Sequence, residues 1–294
     1  MAIGTNPLVE SEEDRARRRT ELIQALVALA EVAPRLGTML RSVQNPSTTA
    51  IGDWTIAEVA AHLSHVAIGE TMIAETIGGP ALEALPIGND IPATAAGFNS
   101  SSLEADPERD LPVLAATIEE SVARFIEVMA GANGSEPVTW LGGVTLPSST
   151  LATHLLEELL VHGYDVGVAA SIDWPITRSH AALACTFLFD LMRFAGPETR
   201  RAFVRQENAA GLDVCFEFRF RGGRTQYLAF RDGSITVSPD ATKVDCRVSV
   251  DPIVAMLMAM NRIGLLKPAL TGRAIAWGRK PWLALRFGSL LRNP

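Results

Sequence analysis

The apolar pattern of the chain changes period near residue 210, and nothing else in the sequence constrains the fold as strongly. Before that point, Ala-, Leu- and Glu-rich stretches repeat at three- and four-residue steps, the spacing of amphipathic helices. After it, short segments alternate apolar and polar, the spacing of half-buried strands, and two further helical segments follow. The expected fold class is therefore α+β. A four-helix bundle spans residues 1–175, and a smaller α+β domain with an antiparallel sheet spans 176–294.

Within the first part, helices are expected over about 11–41, 55–77, 111–129 and 149–170. Pro34 predicts a kink or break late in the first. Thr55 and Glu58 have the spacing of a capping box at the start of the second. Residues 78–108 are rich in Pro and Gly without periodicity, so a long loop is expected there, a lid or wall over a site. In the second part a helix is expected over 178–194 and strands over 214–220, 226–231, 234–238 and 243–250. A helix capped by Asp251, a last strand over 271–278 and a last helix over 281–291 complete it.

The fourth helix carries His154, Glu158, His162 and Asp165. At about 100° per residue all four fall within about 40° of Glu158, in the same stripe as Leu151 and Leu155. A carboxylate and two imidazoles inside an apolar face must be paired or metal-bound, since burying them alone costs several kcal/mol. Glu158 and His162, one turn apart, can converge on one ion. His62, on the packed face of the second helix, offers a third ligand, with His65 a turn beyond. Two histidines and one carboxylate suit zinc with an open fourth position and equally suit non-haem iron(II). His154, Asp165 or His65 would then support the ligands from outside. A satisfied Glu–His pair without metal is the bland alternative.

Other features narrow the possibilities. The net charge of −7 disfavours nucleic acid as a partner. No uncharged run reaches the ~18 residues of a membrane span, and residues 1–19 lack the apolar core of a signal peptide, so a cytoplasmic location is expected. Cys185, Cys215 and Cys246 are spaced for neither disulfides nor a thiolate zinc site and read as buried thiols. No phosphate loop and no serine nucleophile elbow occurs. Arg219, Arg221, Arg224 and Arg231 read as a solvated strand face, with a substrate carboxylate held by one of them as the alternative; Trp54 reads as core or staple rather than a ligand-stacking ring, and Met256, Met258 and Met260 as an apolar helix face, either core or the wall of a lipid site.

The segments 53–63 (Asp53-Trp54-Thr55-Ile56-Ala57-Glu58-Val59-Ala60-Ala61-His62-Leu63) and 154–166 (from His154 through Glu158 and His162 to Val166) resemble two motifs of the DinB-like, mycothiol-dependent maleylpyruvate isomerase family. Residues 178 onward are more weakly similar to a sterol-carrier-like domain. The resemblance implies a divalent metal, usually zinc, held by His62, Glu158 and His162. It also implies mycothiol or a similar low-molecular-weight thiol as cofactor and a small electrophilic substrate. A thiolate that adds to an activated alkene and leaves again gives cis–trans isomerisation; one that stays gives S-transfer. The competing expectation is a non-catalytic small-molecule or lipid-binding protein with a structural or vestigial metal. A shell closed by His65 or His154 would favour that reading. The residues leave substrate and oligomeric state open.

Overall fold

A computed structural model describes residues 11–82, 86–238, 240, 241 and 243–292. The chain divides into two compact units: Met1–Leu85 with Ser101–Trp174, and Pro86–Ser100 with Pro175–Pro294.

The first unit is built on α1 (Glu12–Ser42), α2 (Ile56–Ala74), α4 (Leu111–Met129) and α5 (Ser148–Ala170). Helix α1 packs on α4 and α5, and α2 packs on the same two. Their shared core holds Leu22, Leu29, Leu36, Leu63, Phe125, Leu155 and Leu159, all essentially buried. By length and composition alone α1 would qualify as a membrane span, but Leu22, Ala25, Leu29, Val32 and Leu36 are buried within the bundle. Of the expected kink or break at Pro34, the break does not occur: α1 runs on through it to Ser42. The carbonyl that Pro34 leaves unpaired belongs to Ala30, which is exposed and can be hydrated. The capping box forms as expected. Thr55 Oγ1 accepts from the Glu58 amide and the Glu58 carboxylate accepts from the Thr55 amide. A short ladder of β1 (Thr49–Ile51) and β2 (Trp54–Thr55) leads into α2.

That ladder, a helix and a second hairpin are all absent from the expectation. The segment expected as a loop contains α3 (Ile91–Ala105). Asp90 accepts from the Ala93 amide at its start, and Pro92 sits in the first turn, where its missing N–H costs nothing. A hairpin of β3 (Pro137–Trp140) and β4 (Val144–Pro147) turns at Gly142 and Gly143, both left-handed with φ of 74° and 75°, and feeds directly into α5.

In the second unit, α6 (Arg178–Phe194), α7 (Pro197–Ala202) and α8 (Gln206–Ala209) precede β5 (Val214–Phe220), β6 (Thr225–Arg231) and β7 (Ser234–Ser238). Then come β8 (Cys246–Val250), α9 (Pro252–Ala259), α10 (Leu266–Leu270), β9 (Ala274–Trp277) and α11 (Leu283–Leu290). The sheet order is β7-β6-β5-β8-β9. Three pairings are antiparallel, but β8 runs parallel to β5, with Phe216 opposite Cys246 and Phe220 opposite Val250. The sheet is thus mixed, a correction to the purely antiparallel expectation. Phe216 meets Phe230 and Phe287 edge-on at 5.9 and 5.1 Å, and Phe189 meets Phe220 at 5.6 Å, which joins the sheet to α6 and α11. Cys185, Cys215 and Cys246 form no disulfide and are all buried in this unit. Burial pushes the Cys215 and Cys246 thiols above their ordinary pKa.

Candidate metal centre

The first unit brings His62 from α2 and Glu158 and His162 from α5 to one point. One donor atom from each lies within 4.8 Å of the other two. Glu158 Oε2 is 3.2 Å from His62 Nε2 and 3.4 Å from His162 Nε2. The two imidazoles meet edge to face at 5.0 Å between ring centres. The one-turn separation on α5 explains why Glu158 and His162 face together, and the packing of α2 on α5 supplies His62.

A second set of residues supports these three. His162 Nδ1 is 2.9 Å from Asp165 Oδ2, which turns its Nε2 toward Glu158. His154 Nε2 lies 3.2 Å from Glu158 Oε1, and its Nδ1 lies 2.7 Å from Glu70 Oε1. Trp140 Nε1 donates to the same Glu70 oxygen at 3.0 Å. Trp54, expected as core, is half-buried with its ring 5.2 Å from that of His62. His65 does not join the cluster; its Nε2 is 2.9 Å from Asp106 Oδ2.

Electrostatics set the proton inventory. Burial pulls the pKa of His62 below the ordinary value, despite the opposing bond with Glu158. Burial also acts against charge on His162, but Asp165 and Glu158 outweigh it and push His162 up to about 9. The same contest carries His154 up to about 10, through Glu70 and Glu158. Burial opposes ionisation of Glu158, yet bonds from His154, His162 and His62 hold it well below the usual carboxylate range. A ligating imidazole must be neutral, so a cation entering at pH 7 is expected to displace about one proton, from His162. Binding heats at that pH should then depend on the ionisation enthalpy of the buffer. The dependence should fade as the pH passes about 9. Heats at pH 7 that do not vary with buffer would refute this. Asp165→Asn, which weakens the grip on the His162 ring, is expected to lower cation affinity by about 10–100-fold, read by competition with a chelator.

Among residues the sequence singled out in the second unit, each arginine with a described partner is held locally. Arg219 pairs with Glu217 and stacks over Trp277 at 5.3 Å, Arg221 donates to the Gly272 carbonyl, and Arg231 pairs with Asp213. On α9, Met256 and Leu257 are core, while Met258 and Met260 are half-buried. Glu70 and Trp140 were missed. The available signal was an acidic residue at position 70 between Ala67 and Ala74, on the packed side of an otherwise apolar helix.

Fold and cluster together define a class: a helical bundle with a partly buried cluster of two histidines and one carboxylate, joined to a sheet-containing unit. Residues 26–167 match the family model described as the mycothiol maleylpyruvate isomerase N-terminal domain. The match takes in 142 of the 294 residues, and His62, Glu158 and His162 all lie inside it. The solved structure of the mycothiol-dependent maleylpyruvate isomerase is similar over 82% of this chain and 90% of that one, at 17% identity and a TM-score of 0.51. A histidine-to-alanine mutant of the same enzyme matches over 87% and 92%, at 15% identity and a TM-score of 0.51. At such identity the likeness is one of fold. No curated protein sequence matches the chain.

Proposed function

We propose that this protein is a divalent-metal enzyme, most simply a zinc enzyme, that uses mycothiol or a similar low-molecular-weight thiol on a small electrophile. The observation that carries the reading is the approach of His62, Glu158 and His162 donors within 4.8 Å of one another. Two imidazoles, both neutral once His162 has given up its proton, and a carboxylate match the donor set of an open divalent site, so the residues fit the ion that the family implies. A cation held there would stabilise the thiolate over the thiol of a guest molecule near neutral pH.

The chain's own residues prepare that chemistry. Asp165 fixes the tautomer of His162, and the half-buried Trp54 ring screens the His62 side. His154 occupies one oxygen of Glu158 and leaves the other facing the two remaining histidines. The family domain favours cis–trans isomerisation of an activated alkene such as maleylpyruvate; S-transfer is the variant in which the thiol adduct is the product.

The test is metal analysis of purified protein, then thiol assays with mycothiol and a panel of electrophiles that includes maleylpyruvate. An isomerase converts substrate while free thiol stays constant, whereas a transferase consumes one thiol per turnover. Stoichiometric metal with no thiol-dependent conversion of any electrophile would overturn the enzymatic reading in favour of a binding protein.

A further inference from the structure

Glu158 divides its two oxygens between different partners. Oε2 faces His62 Nε2 and His162 Nε2 at 3.2 and 3.4 Å, whereas Oε1 faces His154 Nε2 at 3.2 Å. His154 cannot swing away from this position. Its Nδ1 is 2.7 Å from Glu70 Oε1, and the Trp140 indole packs edge-on against its ring at 5.0 Å while donating to that same Glu70 oxygen at 3.0 Å. Three elements, α2, β3 and α5, therefore meet to hold one imidazole. Glu70 and His154 are 3% and 7% exposed.

The arrangement is expensive as pure scaffolding. Glu70 Oε2 is buried without a hydrogen-bond partner. A polar oxygen left unsatisfied in the interior destabilises the fold, and apolar residues of similar size would fill the space at lower cost. Such an arrangement calls for a role other than stability.

Carboxylates bind cations through one oxygen or two. If both Glu158 oxygens turned to the ion, the second would fill the position that a guest sulfur needs. We propose that Glu70 and His154 are positioning residues that hold Glu158 Oε1 away from the cation, so that Glu158 ligates through Oε2 alone and a coordination position stays open for the thiol. The inference rests on the metal-site reading given above and adds to it the reason that the site stays open.

The experiment uses the full chain loaded with Co(II), whose visible absorption weakens as coordination number rises, together with Glu70→Gln and His154→Gln. Wild type is expected to bind one Co(II), to show an intense band, and to shift that band on titration with 2-mercaptoethanol. Both variants are expected to keep Co(II) with an affinity within about tenfold of wild type, because the freed oxygen compensates for the lost support. Their band should be weaker, and half-saturation with 2-mercaptoethanol should need about tenfold or more thiol. A merely structural role would lower melting temperature without changing the spectrum. Variant spectra and thiol titrations that match wild type would overturn the proposal while leaving the metal site intact. A wild type that binds no Co(II) would overturn both. Trp140→Phe keeps an aromatic ring beside His154 and removes the indole donor to Glu70. It should move the spectrum in the same direction by less, and it carries the test if Glu70→Gln does not fold.

Discussion

His162→Ala is expected to leave the purified protein without stoichiometric metal. The substitution removes one of three donors and leaves His62 and Glu158, two groups on different helices that no longer close a site. It also takes away the His162 contact of the buried Asp165 carboxylate. Loss of a supporting residue outside the ligand shell costs about 10–100-fold in affinity, so loss of a ligand should exceed about 100-fold. Metal content after dialysis against a weak chelator reads the effect, with circular dichroism to show that the helices persist. Full occupancy in this variant would mean that the ion, if present, sits elsewhere.

Trp174→Ala is expected to destabilise the first unit by about 3–5 kcal/mol, the range for truncating a buried aromatic. The indole is 8% exposed, and its Nε1 donates to the Leu160 carbonyl of α5 at 3.0 Å. The Arg35 guanidinium lies over the ring, 4.4 Å from its centre. The seat beneath it is made by absence: a Cβ at Gly163 would come within 2.3 Å of the ring, and one at Gly167 within 3.0 Å of the Trp174 Cβ. Alanine at 174 would empty that seat and leave α5 uncovered just past His162. Urea denaturation followed by far-ultraviolet circular dichroism checks the figure. A loss below about 1 kcal/mol would show that the seat collapses with little cost.

Much of this architecture is legible in the residues, and the gaps have physical reasons. Thr55 and Glu58 announce the start of α2 because a capping box is local chemistry. His154, Glu158 and His162 announce a buried polar centre because a helix converts spacing into direction. Helix α3 was not legible: its Asn99-Ser100-Ser101-Ser102 run has low helical propensity, and only Ile91 and Pro92 are buried, so no apolar stripe marks it. The alternation of β8 shows which side chains share a face but not which strand lies alongside, so the parallel pairing with β5 was invisible. Glu70 and Trp140 reach His154 from 84 and 14 residues away in the chain, and no local pattern encodes such a meeting.

The proposed function carries a demand of its own: an enzyme that worked on electrophiles would have to survive them. Alkylation requires an accessible, ionised sulfur. Here all three of the protein's own sulfhydryls are sealed inside the sheet unit, and two of them resist ionisation. Under the proposed function, an electrophilic guest would thus meet an accessible thiol on the small molecule delivered to it rather than on a cysteine of the polypeptide.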